Sequence, residues 1–239
     1  MSGTPTLYSY TLRYDDGAAP NPFHGICTLA ICKPDIRLAA KVGDWVVGLG
    51  SKEANMAGKV IYAMRVTDKM SLAEYDRRAA AEWPGKIPHH DKADPYTHLG
   101  DCIYKYIDST PRLRRGTVHD AGNRKRDLRG KNVLLSNDFY YFGNNPIDLR
   151  RDLHPIIHQT QKHKSLINAP YVATFIEWIR ERGGVPGELQ GLPYLAMQIE
   201  TGSFTSPATC TSRKKAPKKC RENDTCKRKL PNKSAATSC

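Results

Sequence analysis

Gly and Pro cut the chain between residues 16 and 59 into short pieces, and that punctuation constrains the fold more than any other feature. Prolines stand at 20, 22 and 34, and glycines at 17, 25, 43, 48, 50 and 58. Proline lacks a backbone donor and blocks helix interiors, while glycine favours turns. Only short strands or single helical turns fit between such breaks. Residues 7–15 are rich in β-formers, with Tyr8, Tyr10, Leu12 and Tyr14 on one face at period two. Residues 26–32 form a short apolar strand stopped by Lys33 and Pro34, 36–40 one helical turn, 45–49 (WVVGL) a buried strand and 60–67 a further strand. Four β-segments ahead of the first long helix predict an α+β fold rather than an alternating α/β one. The expected architecture is a strongly bent, mostly antiparallel sheet, or a partly closed β-barrel, with flanking helices.

Ser71-Leu-Ala-Glu74 is a capping box and predicts a helix over 72–82 that stops at Pro84. From 83 to 131 the periodicity fails. That segment holds Pro84, Pro88, Pro95 and Pro111 together with His89, His90, His98 and His119. A patternless stretch of this length marks either a functional loop or disorder. Strands return at 132–136 and 139–142, around Asn137 and Asp138. Pro155 suits the first turn of a helix running to His163. The clearest helix is 171–182, where Tyr171, Phe175, Trp178, Ile179 and Arg182 share a face and Gly183-Gly184 ends it. Beyond Phe204 the hydrophobic pattern gives out. Residues 1–204 are thus expected to form one α+β domain and 205–239 a basic disordered tail.

The formal charge of +13 over 239 residues is concentrated in two places. Residues 205–239 carry ten Lys or Arg against two acids, and 111–131 carry eight against two. Two basic segments on a nearly neutral body point to a polyanionic partner, with nucleic acid first. Basic loops that merely confer solubility are the alternative. No apolar run reaches the roughly 18 to 20 residues of a membrane helix, so no membrane role is expected. The start of the chain lacks the pattern of a secretory signal. Seven irregularly spaced Cys do not form a disulfide framework. A cytoplasmic setting is expected.

Most catalytic signatures fail. Gly48-x-Gly50 is followed by Glu53 where a dinucleotide fingerprint needs glycine. Cys27 and Cys32 fit neither redox nor zinc spacing and read as buried strand thiols. His154 and His158 could share a helix face and hold a metal, but they read better as a solvated face. The cluster His89, His90, Asp91, Asp94 and His98 matches no known ligand spacing. No metal is assigned, and no cofactor is identified.

The segment 41–52 (KVGDWVVGLGSK) is the most informative. A turn delivers the Trp45 strand, which exits into a polar Gly-Ser-Lys loop where a phosphate or base edge could dock. This layout resembles PUA-like modules, including the EVE and ASCH domains, and the resemblance implies a concave face that accepts a nucleotide or a flipped base. An ordinary hairpin core is the other reading. A more specific resemblance rests on several motifs in one order. They are Tyr8-Ser-Tyr, Arg13-Tyr-Asp, Ala19-Pro-Asn-Pro-Phe, Cys27-Thr-Leu-Ala, Cys32-Lys-Pro-x-Ile-Arg, Ala40-Lys-Val-Gly-Asp-Trp-Val-Val-Gly, Tyr62-Ala-Met-Arg-Val and Asn132-Val-Leu-Leu-Ser-x-Asp-Phe-Tyr-Tyr-Phe-Gly. Together they resemble the nucleotide modification associated domain, type 2, a bacterial and phage family. The resemblance runs from residue 7 to 143 and more weakly to 204. It implies association with DNA base modification or phage conflict, possible partner proteins of such a system, and no particular reaction.

The leading functional expectation is a protein that binds a base or nucleotide in an aromatic and basic pocket. Phe23, Trp45 and Tyr141 are the candidate stacking residues, with Tyr8 and Tyr10 beside them. Arg13, Lys52, Arg124, Lys125 and Arg126 are candidates for phosphate, and Asn21, Ser51 and His119 for polar contacts. Arg13, Phe23, Ser51 and Lys52 are expected to line one concavity. The alternatives are a base-modifying enzyme of unassigned reaction and a protein-interaction module. For the enzyme, further candidates are Asp15, His24, Asp44, Asp127 and Ser136, displayed in loops next to short strands. A pocket that joins Arg13, His24 and the Arg126–Asp127 pair around a perturbed imidazole or carboxylate favours the enzyme. A pocket of aromatics and Arg alone favours the binding module.

Overall fold

The computed structural model describes residues 3–52, 54–89, 91–158 and 163–203, and the basic tail 205–239 lies outside them. The first half runs β1 (Leu7–Leu12), β2 (Cys27–Leu29), α1 (Pro34–Ala39), β3 (Trp45–Gly50), β4 (Lys59–Arg65), β5 (Asp68–Ser71) and α2 (Leu72–Glu82). The second half runs β6 (Tyr104–Ile107), β7 (Thr110–Leu113), α3 (Arg124–Arg129), β8 (Asn132–Ser136), β9 (Asp138–Tyr141), β10 (Ile147–Asp148), β11 (His163–Lys164), α4 (Val172–Arg182) and α5 (Tyr194–Glu200).

The larger sheet has the order β10-β4-β3-β1-β11, with β9 also paired to β4. Strands β1 and β3 pair parallel, in the register Leu7 opposite Trp45 to Leu12 opposite Gly50. A second sheet has the order β2-β8-β5. Two of the passages from one sheet to the other are short, through Val66 and Thr67 between β4 and β5 and through Asn137 between β8 and β9. The two crossings are tied together: Thr67 N–H donates to Leu135 O at 2.9 Å, and Asn137 N–H to the Thr67 hydroxyl at 3.2 Å. This is the strong bend expected from the sequence. The barrel form is not adopted. The pairing passes into a second sheet instead of curving on, and no ladder among the described residues joins β10 to β11.

The layers follow from which faces are apolar. On one face of the large sheet, Trp45, Val47 and Tyr140 pack against Val172, Phe175, Trp178 and Ile179 of α4. On the other, Tyr10, Val46, Tyr62 and Met64 meet Cys27, Leu29, Leu134 and Ile36 of the small sheet and α1. The far side of the small sheet is covered by Leu72, Tyr75 and Ala79 of α2. Strands β1 and β3 are therefore covered on both faces. That is why WVVGL reads as a continuous apolar run rather than an alternating one.

Local chemistry accounts for the ends of these elements. The Ser71 hydroxyl accepts from Glu74 N–H at 3.1 Å and caps α2. Gly184, at φ +73, follows the C-terminus of α4 in the left-handed region that terminates helices. Gly48 is a packing glycine: a Cβ there would stand 2.4 Å from the Tyr62 ring, whose hydroxyl meets that of Tyr10 at 2.9 Å. Asp44 closes the turn ahead of β3 by accepting from Thr6 N–H and Lys41 N–H, both at 2.8 Å.

Two readings of the sequence are corrected. The segment 83–131 contains regular structure: the β6–β7 hairpin, helix α3 and 3-10 turns over Pro84–Lys86, Pro95–His98 and Ala121–Asn123. Elements of three to six residues are too short to show a period. The helix expected from Pro155 to His163 does not form. Pro155 sits inside a 3-10 turn, Arg151–Ile156, after which Ile157 is extended and His163 pairs with Tyr10 in β11. His154 and His158 thus share no α-helical face. Among the described residues, no group of three or more His, Cys, Asp or Glu is placed to hold a metal ion.

Candidate active site

A cavity of about 390 Å³ opens where β1, α1, α3 and the loop leading to His119 converge. Cys32, His119, Arg13, Lys33, Arg126 and Asp16 are among its lining residues.

At the floor lies a connected chain of three side chains. Cys32 Sγ is 3.6 Å from His119 Nε2, and His119 Nδ1 meets Asp127 Oδ2 at 2.6 Å. Asp127 is fully buried. Its Oδ2 also accepts from the Tyr104 hydroxyl at 3.2 Å, and its Oδ1 from Cys32 N–H at 3.4 Å. Burial disfavours a charged imidazole at His119, but its bonds to Asp127 and Cys32 outweigh burial and raise its pKa to about 10. Cys32 is half-buried. Cys27 and Cys102, by contrast, are buried thiols pushed up to about 12, chiefly by desolvation.

The local backbone explains how a thiol reaches this place. Strand β2 ends two residues before Ile31, and the chain turns into α1 through Cys32 at φ +55 and Lys33 at φ +34. Two consecutive L-residues in the left-handed region are costly and are retained where the surroundings hold them. Arg37 of α1 does the holding. Its buried guanidinium donates to Cys32 O and Asn132 O, each at 2.8 Å, and to Asp127 O. One side chain thereby fixes the thiol's backbone relative to the helix that bears Asp127. Gly130 makes room for it, since a Cβ there would stand 2.4 Å from the guanidinium carbon. Helix α3 (RKRDLR) turns Asp127 inward while Arg124, Lys125, Arg126 and Arg129 stay exposed. The carboxylate and the Arg126 and Arg129 part of the basic rim therefore come from one short helix.

The rim is cationic. Lys33 Nζ stands 4.3 Å above the Tyr10 ring. Burial, opposed by Cys32 and reinforced by Arg126 and Arg13, lowers the Lys33 pKa to about 8. Arg126 bonds Asn123 Oδ1 at 2.9 Å, and Arg129 pairs with Asp35 at 3.1 Å. Opposite, the Asp16 carboxyl is raised above the usual carboxylate range, mainly by desolvation, and accepts from Ala18 N–H at 3.1 Å.

Of the residues singled out in the sequence, Arg13, His119 and Arg126 line this cavity, and Asp127 lies directly behind it. The register does bring the end of the strand before Arg13 beside the exit of the Trp45 strand, with Leu12 opposite Gly50. Phe23, Ser51 and Lys52, however, are not among the lining residues. Phe23 packs with Leu99 and Leu195 against α5, and the Ser51 hydroxyl accepts from Ala54 N–H at 3.2 Å. Trp45 is 1% exposed, stacked on Tyr140 and edge-on to Phe175. Tyr141 is buried with its hydroxyl donated to Asp15 Oδ2 at 2.6 Å. Neither ring is open to a base. Asn21 is structural: its amide donates to Gly17 O and Leu99 O, and its Oδ1 accepts from the buried Lys86 ammonium at 2.6 Å. Arg124 is tied to Pro111 O at 2.6 Å, Lys125 is exposed, and His24 packs against Gly85 outside the cavity. The sequence reading took Cys32 for a buried strand thiol, but it is half-buried in the turn between β2 and α1, and Lys33 was not read as a site residue. The signal that was present is a Cys between an apolar strand and a Pro that starts a helix, an elbow that exposes a side chain.

Fold and site together define a mixed α+β protein with a thiol, an imidazole and a carboxylate in line beneath a basic rim. The family model for nucleotide modification associated domain 2 matches residues 4–199, and the chain belongs to that family. No curated protein and no solved structure matches it significantly. Among the described residues, no helix is long and apolar enough to cross a membrane.

Proposed function

We propose that the protein is a cysteine-dependent enzyme acting on a nucleotide or nucleic acid in a modification system. Cys32 is its nucleophile, His119 the proton partner and Asp127 the residue that orients the imidazole. The observation that carries this reading is the Cys32–His119–Asp127 chain, with contacts of 3.6 and 2.6 Å, at the floor of a basic cavity. A thiol is activated by an adjacent base that a third group orients, and a neighbouring cation supports the thiolate. The family supplies the nucleotide context.

In the step these groups support, His119 Nε2 already carries the proton as the imidazolium, and the electron pair of the Cys32 thiolate forms an S–C bond to an electrophilic carbon of the substrate. The C–X bond breaks, and the leaving group departs with its electron pair and the proton from His119. Water then attacks the same carbon, gives a proton to the neutral His119, and the C–S bond opens with its electron pair on sulfur to restore the thiolate beside the imidazolium. The tail 205–239 attracts phosphate diffusely and without reading sequence, whereas the basic residues of α3 position it as well as attract it. A reducing, cytoplasmic setting suits a thiol nucleophile.

A binding module would need aromatics and Arg alone; the raised imidazole joined to a thiol favours the enzyme. The test is timed iodoacetamide labelling of the folded protein with peptide-resolved mass spectrometry, using Cys27 and Cys102 as internal references. Cys32 should label at least tenfold faster than either, and His119→Gln should remove most of that advantage. In parallel, nucleosides from cells carrying wild type or Cys32→Ala should differ in modified content. Slow labelling of Cys32, or identical nucleoside profiles, would overturn the proposal.

A further inference from the structure

We infer that the substrate is a free nucleoside monophosphate, its phosphate dianion held by Arg13, Lys33 and Arg126 and its base carried over the Cys32 sulfur. This inference rests on the reading of Cys32 as a nucleophile.

Three observations support it. The first is size. A cavity of about 390 Å³ falls at the small end of ligand sites, roughly 300 to 1,000 Å³, and suits one nucleotide rather than a polymer. The second is charge. Arg13, Lys33, Arg126 and Arg129 line the space together with the His119 imidazolium, against the two carboxyls of Asp16 and Asp35. One of those carboxyls is already committed to Arg129. A terminal phosphate brings two negative charges to a single point, whereas each phosphodiester of a strand brings one. The third is crowding. Arg13 and Arg126 both push the Lys33 ammonium towards its neutral form, so these cations converge on the same space. A dianion placed between them would relieve that repulsion and draw a proton onto Lys33.

This last consequence gives a signature that diffuse binding to the basic tail does not produce. Near pH 8 a nucleoside monophosphate is already fully dianionic, while Lys33 is partly neutral. Binding should therefore take up a fraction of a proton. The measurement is calorimetric titration of the full-length protein at pH 8, in two buffers of different ionisation enthalpy. The ligands are the four common nucleoside 5′-monophosphates, the matching nucleosides, inorganic phosphate and a single-stranded oligonucleotide without a terminal phosphate.

At least one monophosphate should bind thirtyfold or more tightly than its nucleoside, with proton uptake, and inorganic phosphate should compete. Arg126→Gln, a change at an exposed position that leaves the tail intact, should weaken binding at least tenfold. Lys33→Arg should retain binding but abolish the uptake. Equal binding of nucleoside and monophosphate would overturn the inference, as would tighter binding of the oligonucleotide or indifference to Arg126→Gln. The two proposals fail separately. Fast, His119-dependent labelling of Cys32 without monophosphate binding removes only the substrate class. Monophosphate binding with an unreactive Cys32 removes the thiol chemistry.

Discussion

Replacing Asp127 by Asn tests the energetics of the site most directly, because it removes one charge and keeps the shape. Asp127 is fully buried and accepts from His119, the Tyr104 hydroxyl and Cys32 N–H. At about 1.4 kcal/mol per pH unit, raising His119 from 6.5 to about 10 corresponds to roughly 4 to 5 kcal/mol of preference for the imidazolium. Removing one member of a buried ion pair typically costs about 3 to 5 kcal/mol. The two figures agree, so Asp127→Asn should destabilise the protein by about 3 to 5 kcal/mol at pH 6. The pH dependence fixes the cause. A group whose folded pKa lies above its unfolded value stabilises fully below the unfolded one, and that stabilisation is lost as pH climbs through the folded one. The gap between wild type and Asp127→Asn should therefore be widest below about pH 6.5 and narrow steadily towards pH 10. Urea unfolding at pH 6, 8 and 10 reads the gap, and NMR titration of the His119 ring reads the pKa itself. With the carboxylate gone, burial should hold the imidazole neutral at pH 7. A gap that does not change with pH, or a His119 in the variant that still titrates above 8, would refute the assignment.

Asp15, raised to about 7 chiefly by burial and lowered somewhat by its bond from Tyr141, should also lose stability as pH rises, but over a lower range and because its buried charge is unfavourable. Its folded form holds a proton that the unfolded chain releases, so wild-type stability should fall between pH 4 and 7. Asp15→Asn should remove that fall and stabilise by about 2 kcal/mol at pH 8, a figure reduced for the side chain's partial exposure; a variant no more stable at pH 8 than at pH 4, relative to wild type, would contradict this. Trp45→Ala should cost about 3 to 5 kcal/mol through the cavity it leaves against Tyr140 and Phe175. In the folded fraction, Cys32 should still label at the wild-type rate. Slowed labelling there would show that Trp45 does belong to the site.

The strands before residue 67, the α2 cap at Ser71 and the apolar face of α4 could be read from the sequence because each is a local rule. Alternation, a hydroxyl three residues before an amide and helical spacing act within a few residues of one another. The same reading named Arg13, His119, Arg126 and Asp127 from their charge and loop setting. It misjudged Trp45 and Tyr141, since an aromatic in a strand looks alike whether its face is later covered or left open. In Trp45 that was settled by α4, which arrives from more than a hundred residues away. It also took Cys32 for a buried strand thiol, for a reason that belongs to all such sites. Cys32, His119 and Asp127 lie 87 and 8 residues apart in sequence, and no spacing rule links them. They meet because Arg37 bonds the backbone of Cys32 to that of Asp127 and because the β2–α1 elbow forces two residues into the left-handed region. Sequence determined the longer strands, the amphipathic helices α2 and α4 and where positive charge gathers, because those depend on neighbours in the chain. Only the tertiary structure decided which thiol faces an imidazole, because that depends on long-range contacts closed by a single buried guanidinium.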